Sequence, residues 1–193
     1  MSVWHWVRHG PTHEKNFVGW RDVPADLSDT ARIERLNAYL PGKAILISSD
    51  LIRASATADA LHVANRKRLP DNPNLREFHF GDWDGVHFSK VAADFPDLSR
   101  AYWETPGDIA PPNGESWNAA AARVGSAVNA LSLAHPGADF IVVAHIGVIL
   151  TQMQQAMGVT PYQALSHKID NLSVSQIKWN GGAASAQIVN HIP

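Results

Sequence analysis

Cysteine is absent from this 193-residue sequence. That absence excludes disulfide staples, thiolate metal sites and cysteine nucleophiles together. No stretch approaches the roughly 18 consecutive apolar residues that a membrane helix requires, so no membrane partner is expected. A dominant charge is also missing. Sixteen basic residues face 18 acidic ones, for a formal net charge of −2, and no global field recruits nucleic acid. Met1 to Gly10 hold no basic segment followed by an apolar core. No secretory signal is therefore read there, and a cytoplasmic location is expected. The patterns G-x-x-x-x-G-K-[ST], G-x-G-x-x-G and G-x-S-x-G do not occur, so nucleotide-loop, dinucleotide and serine-hydrolase chemistry find no support.

What is present is an ordinary soluble composition with ten histidines and seven tryptophans. A chain of this length buries roughly two-thirds of its unfolded surface, enough for one domain spanning 1–193. Three short apolar runs each end in a polar loop: Val3 to Val7, Ala44 to Ile47, and Phe140 to Ala144. Continuous apolar strands suit a sheet covered on both faces. Helical patterns separate them, over Leu27 to Leu40, Arg53 to about Asn65, Ser116 to about His135, and Gly147 to Met157. Pro41-Gly42 and Pro136-Gly137 supply two of the stops. Leu172 to Trp179 and Ala184 to Ile192 flank Asn180-Gly181-Gly182, a hairpin signal. The alternation predicts an α/β fold, a three-layer α/β/α sandwich whose mostly parallel sheet carries an antiparallel edge strand. Residues 70–115, rich in proline and aromatics, read as an irregular, partly helical insertion that caps the site.

The residues at the predicted strand ends are Arg8, His9, Arg53 and His145. Ligands of open α/β sheets bind at the carboxyl ends of strands. Two arginines and two histidines converging there make an anion site, because guanidinium forks match phosphate bidentately and a helix start adds backbone donors. His5, His9 and His13 stand at i,i+4 spacing, but Gly10 and Pro11 break the helix a metal pair would need, so no metal site is expected. On phosphate, a neutral His9 is the plausible nucleophile. A carboxyl must then protonate the leaving oxygen and later activate water. Glu77, Asp82 and Asp84 are all eligible by spacing.

At these residues the sequence resembles the histidine phosphatase superfamily, in the branch of cofactor-dependent phosphoglycerate mutases and small phosphomonoesterases such as α-ribazole phosphatase. Arg8-His9-Gly10-Pro11-Thr12 is similar to the family's R-H-G-x-T, with Asn16 following. Gly19-Trp20-Arg21-Asp22-Val23-Pro24 resembles G-x-x-D-x-P. Ser49 to Ala54 with Thr57-Ala58 resembles S-x-L-x-R-A-x-Q-T-A. Leu75, Glu77, Gly81, Trp83 and Gly85 fall on L-x-E-x-x-x-G-x-W-[ED]-G. Gly114-Glu115-Ser116 matches G-E-S, and His145-Ile146-Gly147 matches H-x-G.

The resemblance implies a phosphoglycerate mutase-like fold, His9 as the phosphorylated nucleophile, Arg8, Arg53 and His145 as phosphate ligands, and Glu77 as proton donor. It also implies that Asn16 positions the phosphate. Trp20 and Arg21 are taken as candidate substrate contacts, with packing as their competing role. No cofactor and no metal is implied, and a homodimer is compatible with the sequence. Ala56 and Thr30 depart from the usual glutamine and glycine, and Ala25-Asp26 read as two extra residues that bear on how the 19–28 loop shapes access. The favoured reading is a metal-independent phosphomonoesterase acting on a small phosphorylated metabolite. A phosphoglycerate mutase and a non-catalytic phospholigand-binding protein are the alternatives. The short acidic segment Trp103 to Asp108 counts against the mutase, whose relatives resemble longer chains with larger, basic-lined segments.

Overall fold

The computed structural model describes residues 1–180 and 183–193. Among them, six strands form one sheet in the order β3-β2-β4-β1-β5-β6. The apolar runs form β1 (Ser2–Arg8), β2 (Ala44–Ser48) and β4 (Phe140–Ala144), with β3 (Arg66–Arg68) at one edge. These four are parallel to one another. β5 (Val174–Asn180) runs antiparallel to β1, and β6 (Ala183–His191) antiparallel to β5. The antiparallel edge is thus a strand pair rather than a single strand. The predicted turn residues Gly181 and Gly182 lie outside the described residues.

Period-two alternation in the buried strands divides the core into two layers. Trp4, Trp6, Ile45, Ile47, Phe140 and Val142 face one way, under α5 (Trp117–Ala134) and α6 (Ile146–Met157). Val7, Leu46, Ile141 and Val143 face the other, under α1 (Thr30–Tyr39) and α2 (Ile52–Ala60). This is the expected three-layer α/β/α arrangement. Four of the seven tryptophans, Trp4, Trp6, Trp83 and Trp117, are buried in the first layer. Trp4 stacks on Phe140 with ring centroids 4.1 Å apart, so packing accounts for part of the aromatic excess. Side-chain oxygens start the helices: Ser116 caps α5 where the sequence places its start, and Asp29 caps α1, which begins at Thr30 rather than at Leu27.

Two elements depart from the sequence reading. The helix beginning near Arg53 ends at Ala60, and the chain then enters β3, whose Arg-Lys-Arg sequence carries no apolar strand signal. Charge on an edge strand discourages pairing with another sheet. The 70–115 segment holds two 3-10 turns (Pro73–Leu75 and Gly81–Trp83) and two helices, α3 (Phe88–Asp94) and α4 (Pro96–Glu104). A short α7 (Pro161–Leu165), closed by a Thr160–Gln163 capping box, follows α6.

Candidate active site

β2, β4 and β1 are consecutive in the sheet and parallel, so their carboxyl ends share one edge. Arg8 ends β1 and His9 follows it, with its N–H extending the ladder to the Ala144 carbonyl at 3.0 Å. His145 lies between β4 and α6, and Arg53 stands in the first turn of α2 after β2. Three parallel strand ends therefore bring these four residues together. The His9 and His145 rings are 5.1 Å apart by centroid. Arg8, His9, Asn16, Arg53 and Glu77 line one cleft, together with Thr12, Glu14 and the aromatics Phe17, Phe80, Phe88 and Trp103.

Hydrogen bonds fix the state of the nucleophile candidate. His9 Nδ1 lies 2.6 Å from the Gly10 carbonyl oxygen, which can only accept. The neutral ring therefore carries its proton on Nδ1 and its lone pair on Nε2. Burial first, then the Arg53 and Arg8 cations, push the His9 pKa down to about 3, against the Gly10 bond. His145 is held well below the ordinary histidine range, by burial first and then by Arg53, His9 and Arg8. Both histidines are neutral near pH 7. The loop beneath His9 is anchored by a relay in which the Gly10 N–H donates to Thr57 Oγ1 at 3.0 Å and that hydroxyl donates to the Arg53 carbonyl at 2.7 Å.

Buried polar atoms here lack partners. Both ring nitrogens of His145 and Nε of Arg8 are buried without a hydrogen bond. Such atoms are costly unless a polar group meets them. An oxyanion accepting from Arg8 Nε and from the one N–H that a neutral His145 carries, beside the cationic guanidinia of Arg8 and Arg53, meets those donors. The remaining Arg53 contacts are structural: Nη2 donates to the Gly19 carbonyl at 2.7 Å and Nη1 to that of Arg21 at 3.1 Å.

Of the three eligible carboxyls, only Glu77 lines the cleft. Asp82 is exposed and holds the Asn113 amide. Asp84 accepts the backbone N–H groups of Gly19 and Arg21. Burial raises the Glu77 pKa, opposed by the N–H groups of Phe78 and Gly147 and by Arg53 and Arg8. The Gly147 N–H, in the first turn of α6, donates to Glu77 Oε2 at 3.2 Å. From behind, the Glu77 carbonyl accepts from the Trp20 indole at 2.7 Å and from Arg123 Nη2 at 3.2 Å.

Trp20 and Arg21 do not line the cleft. Trp20 lies behind Glu77, with the Arg76 guanidinium 4.9 Å from its ring centre. Arg21 is exposed and reaches Glu14 at 2.8 Å on the rim. Asn16 lines the cleft and donates from Nδ2 to the Gly85 carbonyl at 3.0 Å. The extra residues Ala25 and Asp26 pack against the back of the His9 loop: the Asp26 N–H donates to the Pro11 carbonyl at 2.6 Å. Two residues of the assembly escaped the sequence reading. Gly147 was visible only as the last letter of H-x-G. Arg123 is the single charged residue of α5, a signal that an otherwise neutral helix offers plainly.

The sequence model of the histidine phosphatase superfamily (branch 1) matches residues 5–192. The chain is 31% identical over 177 residues to the bifunctional protein Rv2228c of Mycobacterium tuberculosis, covering 91% of this chain and 46% of that protein. It thus spans about half the length of that relative. It is 27% identical over 200 residues to the adenosylcobalamin/alpha-ribazole phosphatase of Escherichia coli, covering 98% and 96% of the two chains. To the glucosyl-3-phosphoglycerate phosphatase of M. tuberculosis it is 34% identical over 158 residues, covering 74% and 70%. The solved structure of Bacillus stearothermophilus YhfR superposes with a TM-score of 0.90 over 100% of this chain and 98% of that one, at 24% identity, and so shares the fold.

Proposed function

This chain belongs to the histidine phosphatase superfamily, branch 1, and from that premise we propose that it is a metal-independent phosphomonoesterase working through a phosphohistidine on His9. One observation carries the reading. A neutral histidine with its lone pair on Nε2 adjoins buried, unpartnered donors and a carboxyl whose pKa is raised. Nε2 of His9 attacks phosphorus as the bond to the ester oxygen breaks. Arg8, Arg53 and His145 hold the other phosphoryl oxygens, and Glu77 passes its proton to the departing oxygen. Glu77, now a carboxylate, takes a proton from water as that water attacks phosphorus, the P–N bond breaks, and both residues return to their starting states. Throughout, the Gly10 carbonyl keeps the Nδ1 proton in place.

The substrate class is a small phosphorylated metabolite, in keeping with the phosphatase names of the E. coli and M. tuberculosis relatives. The deciding experiment is p-nitrophenyl phosphate hydrolysis in EDTA from pH 5 to 8. Activity that survives EDTA and falls at least about 1000-fold in His9→Ala supports the reading. Activity persisting in that variant overturns it, and conversion of 3- to 2-phosphoglycerate faster than hydrolysis replaces it with the mutase.

A further inference from the structure

Beyond Glu77 lies a second chamber, walled by carbon. Phe78, Tyr102, Pro106, Trp117, Leu150 and Leu165 form its sides, around a cavity of about 130 Å³. Glu77, Phe80, Trp103 and Ile146 line both this chamber and the cleft of His9, so the two spaces adjoin at Glu77. An ester oxygen within reach of the Glu77 carboxyl therefore has its carbon substituent at the chamber's entrance. The walls come from α4, α5, α6 and α7 and from the loops that carry Phe78 and Pro106.

The polar inventory of the lining is short. The Trp117 indole N–H is committed to Gln154 Oε1 at 2.8 Å. The Tyr102 hydroxyl is buried without a partner. Burial, with the charges of Glu77 and Glu115 adding to it, raises the Tyr102 pKa and keeps the hydroxyl a neutral donor. Among the described residues, no lysine or arginine lines the space. Beyond the Tyr102 hydroxyl and the Glu77 carboxyl such walls give a polyol no partners for its hydroxyls, and burying the rest unpaired costs affinity. Each methylene buried here instead adds roughly a fourfold gain.

We propose that this chamber is the alcohol subsite, selecting phosphate esters whose alcohol carries an apolar ring or chain. The proposal rests on the phosphomonoesterase reading above and narrows its substrate class. The test compares ethyl phosphate with 2-phenylethyl phosphate, primary-alcohol esters of similar leaving-group reactivity, alongside the non-hydrolysable propylphosphonate and 3-phenylpropylphosphonate. We expect kcat/KM at least about 30-fold higher for the phenylethyl ester, and a matching ratio of phosphonate Kd values, as burial of several methylene equivalents requires. Leu165→Asp, or the milder Leu165→Gln if the first fails to fold, should bring both ratios to within about threefold of one. A wild-type phosphonate ratio near one overturns the subsite whatever the esters do. A preference among phosphonates with no ester hydrolysed supports the subsite and overturns the hydrolytic reading instead.

Discussion

Gly147 shows how a single residue type can be dictated by a neighbour. A Cβ placed there would sit 2.5 Å from Glu77 Oε1 and 3.0 Å from the Phe78 ring. The glycine does two things at once, clearing space for the carboxyl and donating its N–H to Oε2. The obstructed atom ends a flexible side chain, so Gly147→Ala should fold, and alanine in a helix is favoured by up to about 1 kcal/mol. The displaced carboxyl should lower kcat/KM for an alkyl phosphate about 100-fold, the cost of a roughly 1 Å misplacement. Steady-state kinetics and a thermal melt on the same sample check this. Unchanged kinetics would mean that the carboxyl's position is not critical.

At the level of elements, Arg66 joins three. Its guanidinium, buried at the start of β3, donates to the carbonyls of Asn37, Leu40 and Pro41 around the end of α1, and to that of Leu61 after α2. These are the acceptors that a helix terminus leaves without intrahelical partners. One side chain thereby closes the carboxyl ends of two helices on the same face of the sheet. Arg66→Met keeps much of the volume and removes the donors. It should cost about 3 kcal/mol, read as a lowered urea midpoint with an unchanged slope. A loss under about 1 kcal/mol would show that water replaces these bonds without penalty.

Across the whole molecule, buried histidines set the response to acid. His5, His9 and His145 all have pKa values lowered from 6.5, each chiefly by burial. The unfolded chain gains protons below about pH 6.5 that the native state does not bind, so stability falls as pH drops from there. Glu77 acts oppositely. Its raised pKa means that the native state holds a proton the unfolded chain has lost, and its contribution fades as pH rises above about 4.5. Three histidines against one carboxyl leave a net loss on acidification. In phosphate-free buffer Tm should be lower at pH 5.5 than at 7.5, by about 5 °C. An equal or higher value at pH 5.5 would contradict the burial of neutral imidazoles.

Short-range pattern was enough for much of this protein. Apolar runs ending in Arg8-His9 and at His145 declared both the strands and the edge where ligands gather, because period and strand ends are local properties. The helix stops at Pro41-Gly42 and Pro136-Gly137 were legible for the same reason. The three-residue charged strand β3 was not, since it is held by its neighbour β2 rather than by its own composition. Spacing left Glu77, Asp82 and Asp84 all open; of these three, tertiary structure brings only Glu77 into the cleft, because its surroundings come from Gly147, 70 residues away, and Trp20, 57 away. It likewise turned Trp20 from a candidate substrate contact into a brace behind Glu77. The apolar chamber belongs to tertiary structure altogether. Its walls are side chains from four helices and from the loops at Phe78 and Pro106, which meet only when the chain packs, and no local spacing encodes that meeting.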